Sequence, residues 1–131
     1  MASLSARLLM AFTRRSIKRD DITGDQLVAH MRRSMNTSQP QILPFGVSAT
    51  AFRLGDFHGT YVTVAEPEYT ILYLHGGGFV AGRTQTYHNL AGRLAKALKA
   101  QVFLPDYPLA PEHPFPAGVN YCFDFYRYLL E

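Results

Sequence analysis

An α/β fold is predicted by three features of this sequence. Two apolar runs, Thr70–Leu74 and Gln101–Leu104, flank a stretch in which Leu90, Leu94 and Leu98 recur every four residues. Strand, helix and strand in that order make a βαβ unit, with parallel strands and a right-handed crossover. Neither run alternates apolar with polar residues, as suits strands covered on both faces.

The other elements follow in chain order. Leu4, Leu8 and Phe12 predict a first leader helix, and Thr23 with Gln26 three positions later is a capping-box signal opening a second that carries Leu27, Val28 and Met31. Residues 1–35 are therefore read as a helical leader, and residues 36–46, with Ser38, Pro40 and Pro44, as a linker. Val47–Leu54 and Thr60–Ala65 have strand character, with turn chemistry at Gly55-Asp56 between them, so a hairpin or meander is expected. In the crossover helix the leucines mark the packed face, with Arg93, Lys96 and Lys99 largely opposite. Pro116 suits the first turn of a last helix, whose apolar stripe is Tyr121, Phe125, Tyr128 and Leu129.

Composition narrows the function classes. With 47% hydrophobic and 13% aromatic residues in 131, the chain can bury a core and is not of disordered type. The net charge of +3 is uneven: residues 1–33 carry seven Lys/Arg against three Asp/Glu, and the remainder six against seven. Arg14-Arg15 with Lys18-Arg19 reads as a solvated helix face rather than a nucleic-acid or membrane contact. No apolar run approaches the roughly 20 residues needed for stable membrane insertion, and Leu8–Phe12 is too short for a secretory core. A cytoplasmic enzyme is the simplest fit, although the acid-free, Arg- and Ser-containing start also has transit-peptide composition. The single cysteine, Cys122, allows no internal disulfide, and no Cys/His cluster has metal-ligand spacing. Neither metal nor cofactor is implied.

The chemistry concentrates at His75-Gly76-Gly77-Gly78, directly after the first apolar run. Glycines at a strand end leave backbone N–H groups able to approach a substrate, which is what an oxyanion needs. Gly76-x-Gly78-x-x-Ala81 also satisfies a dinucleotide-binding fingerprint, with Asp106 as its acid, but that acid lies 28 residues beyond Gly78 instead of about 20. Six serines occur, none of them in a Gly-x-Ser-x-Gly setting, so a serine nucleophile of that kind is missing. Asp106 and Glu112 have no histidine or serine partner fixed by local spacing.

The run His75–Phe79, followed by Asp106–Ala117 (DYPLAPEHPFPA), closely resembles the hormone-sensitive-lipase family of α/β-hydrolases. The likeness is strong from Thr70 to Leu130 and loose before. It implies the N-terminal part of an α/β-hydrolase fold, with the leader helices in a cap. The hydrolase domain then starts at residue 47 and its sheet is incomplete at 131, before the nucleophile elbow. Further implied is an esterase- or lipase-like serine hydrolase of small-molecule carboxylic esters whose Ser, Asp and His lie beyond this chain, leaving the chain inactive by itself. The N–H groups of Gly77 and Gly78 become the oxyanion donors, Gly76 and His75 support the loop, and Phe79 touches substrate. Plant gibberellin receptors resemble the same family, so a ligand-binding protein without turnover is the alternative. The family has arginine where this chain has Pro108, which leaves Glu112 without its local ion-pair partner.

Overall fold

The computed structural model describes residues 3–6, 8, 10–11, 23–36, 40 and 42–131. Leu4–Ala6, Leu8, Met10 and Ala11 are helical, while Phe12 and the basic cluster Arg14–Arg19 lie outside the described residues. Helix α1 spans Gly24–Met35 and starts where the capping signal places it, yet Thr23 makes no side-chain cap hydrogen bond, so the capping box itself is not formed.

Strands β1 (Ser48–Leu54) and β2 (Phe57–Thr63) form an antiparallel hairpin in which Leu54 faces Phe57 across Gly55-Asp56. A two-residue loop fixes register from the turn outward, which is why β2 begins at Phe57 and not at the expected Thr60. Strand β3 (Tyr69–Leu72), helix α2 (His88–Leu98) and strand β4 (Ala100–Pro105) complete a βαβ unit with β3 parallel to β4. A 3₁₀ turn, Thr84–Tyr87, leads into α2, and helix α3 covers Ala117–Tyr128. The sheet order is β1-β2-β4-β3.

Alternation along β4 sorts the core into two layers. Val102 and Leu104, with Val62 of β2, pack with Ala91 and Ala95 of α2. Phe103 points to the other face, where its ring lies 5.9 Å from Phe125 of α3. Phe57 receives Tyr121, Phe125 and Tyr128 at 5.2, 5.0 and 5.5 Å, so the aromatic stripe expected for α3 packs on the sheet, with Phe125 fully buried and Tyr128 at its exposed rim.

Two expectations are corrected. Helix α2 buries His88, Ala91, Gly92 and Ala95, while Leu90 and Leu98 are 43% and 50% exposed. Steps of four residues drift about 40° around a helix, and the true face runs i, i+3, i+4, i+7 through small residues that let α2 lie close to the sheet. Strand β3, moreover, is not covered on both faces: at the edge of the described sheet it ends at Leu72, its first two residues are exposed, and Tyr69 and Leu74 are 63% and 48% exposed. Helix α3 carries a second apolar face beside that edge, with Val119, Phe123 and Tyr126 exposed.

Candidate active site

The segment leaving β3 is an irregular loop at the strand's carboxyl end. Its last sheet-like bond runs from Tyr73 N–H to the Phe103 carbonyl at 2.8 Å. The chain then turns through positive φ at Gly77 (+140°), Gly78 (+61°) and Phe79 (+59°). Both Val80 N–H and Ala81 N–H close back onto the Gly77 carbonyl, at 3.2 and 3.0 Å. Among the described residues, the N–H groups of Gly77 and Gly78 donate to nothing. No helix starts at Gly78; the 3₁₀ turn begins at Thr84 and α2 at His88, so the helix N-terminus a dinucleotide would require is not at these glycines.

His75 supports the loop from beneath. Its ring is buried between two tyrosines, nearly parallel to Tyr107 at 4.3 Å and to Tyr87 at 5.9 Å. With its proton on Nδ1 the imidazole donates to the Gly76 carbonyl at 3.1 Å, and the Tyr87 hydroxyl donates to the same carbonyl at 3.3 Å. The Tyr107 hydroxyl donates to the His75 carbonyl and lies 3.2 Å from Nδ1. Burial lowers the His75 pKa, against smaller opposing effects of the Gly76 carbonyl and Asp106, so a neutral ring is favoured. Gly76 is open, with only the Tyr87 hydroxyl near where a Cβ would stand.

Burial pushes the Tyr107 phenol up to about 12. Below the usual tyrosine value of about 10 the phenol is protonated folded or unfolded; between about 10 and 12 the unfolded chain loses this proton more readily, so folding weakens as pH rises. Urea titrations across that range should show the loss, and Tyr107→Phe should flatten it; an unchanged slope in the variant would assign the effect elsewhere.

Phe79 is half-exposed, holds the left-handed conformation that non-glycine residues seldom adopt, and accepts Ala110 N–H on its carbonyl at 2.8 Å. With Leu72, Leu74, Tyr107, Val119 and Phe123 it lines an apolar groove of about 460 Å³.

Three contributors escape sequence reasoning. Arg32 of α1 pairs with Glu112 through two hydrogen bonds of 2.7 and 2.6 Å, so Glu112 has a partner after all, from the leader instead of position 108. That pair holds the Glu112 carboxyl down to about 2. Asn36, capping α1, accepts Gly82 N–H on its side-chain oxygen at 3.1 Å. Tyr87 completes the stack on His75. Asp106 donates its own N–H to the His58 carbonyl at 2.9 Å, and Glu112 is taken up by Arg32. No cluster of three or more His, Cys, Asp or Glu able to hold a metal occurs among the described residues, nor is any described helix long and apolar enough to cross a membrane.

Residues 71–131 match the family described as alpha/beta hydrolase fold. An esterase of Acinetobacter venetianus is 45% identical over 60 residues, 46% of this chain and 20% of that esterase. The crystal structure of an esterase/lipase from an uncultured bacterium aligns with a TM-score of 0.77 at 29% identity, covering 98% of this chain and 44% of its own. A hormone-sensitive lipase from a metagenome library gives 0.73 at 31% identity, covering 95% of this chain and 42% of that one. The chain thus spans a fifth of that esterase and less than half of either structure. It carries part of an α/β-hydrolase fold and is similar to esterases and to a hormone-sensitive lipase over that part.

Proposed function

We propose, from that likeness, that this chain supplies the oxyanion loop of a carboxylic-ester hydrolase. The observation that carries the reading is the pair of unengaged N–H groups at Gly77 and Gly78, in a loop at the carboxyl end of a parallel strand and beside an apolar groove. Acyl transfer builds negative charge on the carbonyl oxygen, and donors held in place beforehand lower the barrier without reorganising. In this reading the substrate carbonyl oxygen takes both N–H groups, and the apolar groove with Phe79 receives a hydrocarbon part of the ester. The nucleophile, its base and the orienting acid come from outside these 131 residues, since none of the six serines has the nucleophile-elbow setting.

Two proteins test this. The 131-residue chain alone should hydrolyse short p-nitrophenyl esters no faster than buffer, because an oxyanion loop without nucleophile and base only polarises a carbonyl. A chimera in which residues 71–131 replace the matching segment of the Acinetobacter venetianus esterase should turn the esters over. Turnover by the chain alone that a serine-reactive phosphonate abolishes would sink the division of parts. A folded chimera that binds esters without hydrolysing them would favour a gibberellin-receptor-like binding role.

A further inference from the structure

We propose that Arg32 is a positioning residue that straps the glycine loop to the proline-rich loop, so that helix α1 sets the direction of the Gly77 and Gly78 N–H groups. The role in chemistry rests on the oxyanion reading; the strap itself does not.

Four hydrogen bonds leave this one guanidinium. Nε donates to the Val80 carbonyl at 2.8 Å, Nη2 to the Ala110 carbonyl at 3.0 Å, and Nη1 and Nη2 to the two Glu112 oxygens. An exposed ion pair by itself stabilises little. Here the pair does something else: it fixes the plane of a rigid fork whose remaining donors reach two half-buried carbonyls on different loops. Beyond Val80 those loops otherwise meet through the main-chain bond from Ala110 N–H to the Phe79 carbonyl, while Tyr107 holds the first residue of the glycine loop by its stack on, and hydrogen bond to, His75.

Val80 is where such a hold has most leverage. Its N–H, with that of Ala81, closes the turn onto the Gly77 carbonyl, so locking the Val80 carbonyl locks the peptide planes on either side of that turn. Two residues later Asn36, at the end of the same helix, holds Gly82 N–H. Helix α1 therefore holds the C-terminal side of that turn at two points, Val80 and Gly82. Lysine could offer a charge to Glu112 but not the four donors in one plane.

Amide hydrogen exchange of the 131-residue chain tests the strap, following peptides over residues 75–84 and 106–114 and using 100–105 in β4 as the internal reference. Arg32→Gln should speed exchange in both loops by about tenfold or more, because charged hydrogen bonds hold each loop shut, and leave β4 unchanged. Arg32→Lys should fall between wild type and Arg32→Gln, and Glu112→Gln should loosen residues 106–114 more than 75–84. Arg33→Gln, an exposed neighbour, should change nothing. Unchanged loops in Arg32→Gln, or a rise shared equally by β4, would overturn the proposal; should Arg32→Gln not fold, Glu112→Gln and Arg32→Lys decide by the same pattern. Exchange requires no turnover, so an inactive chimera leaves this result standing, and a lost strap leaves the chimera's activity untouched.

Discussion

Gly77→Ala in the chimera should lower kcat by two to three orders of magnitude while the protein stays folded. Loss of one preorganised donor costs roughly 3 kcal/mol of barrier, and alanine here would misplace two. A Cβ on Gly77 would run into the Ala81 carbonyl, whose residue donates its own N–H back to Gly77, and φ of +140° is closed to residues with a side chain. The turn must open, and both N–H groups turn with it. Gly78→Ala is the comparison that gives the result meaning. Nothing lies within 4 Å of a Cβ there, and φ of +61° is a conformation alanine can occupy at a cost of about 1–2 kcal/mol of stability; ground and transition states share that cost, so a much smaller loss of kcat than at Gly77 is expected. Initial rates with p-nitrophenyl butyrate, with KM resolved from kcat, separate the cases. Equal, small losses at both positions would mean that the loop's donors do not meet the developing charge. Gly77→Pro, which deletes the donor outright, is less informative, because proline demands φ near −65° and would rebuild the loop as well.

The loop and the βαβ unit were legible because their determinants are local. A buried run, glycines at its end and a second run after the crossover are all written within 35 residues, from Thr70 to Leu104. The strap was not legible: Arg32 and Glu112 are 80 positions apart, and no spacing rule joins a leader helix to a proline loop. The face of α2 was misread because the eye follows leucines, whereas the sheet selected Ala91, Gly92 and Ala95 for closeness. For β3 the apolar run announced cover on both faces, yet Tyr69 and Thr70 stand exposed and only Ile71 and Leu72 are half-buried. Composition reports what a strand is suited to; only topology reports which neighbours it has.

Phe125→Ala should be the most costly single truncation in the chain, at about 3–5 kcal/mol. Its ring is fully buried and sits in a four-ring cluster: nearly parallel to Phe52 at 5.3 Å, tilted on Phe57 at 5.0 Å and edge-on to Phe103 at 5.9 Å. Those partners come from β1, β2 and β4, so one side chain joins α3 to three strands and no neighbour can relax into the space without giving up another contact. Domains of this size are stable by about 5–15 kcal/mol, so the loss should take most of the chain's cooperative unfolding with it. Phe123, two positions earlier on the same helix, is 59% exposed, and its replacement by alanine should cost well under 1 kcal/mol. Urea denaturation followed by tyrosine fluorescence at several protein concentrations distinguishes the two. If Phe123→Ala proves as costly as Phe125→Ala, the outer face of α3 is covered in solution, and a concentration-dependent midpoint would identify a second copy of the chain as the cover. A concentration-independent midpoint with only Phe125 costly would place the whole hold of α3 on its inner, aromatic face, leaving the groove beside β3 open to ligand.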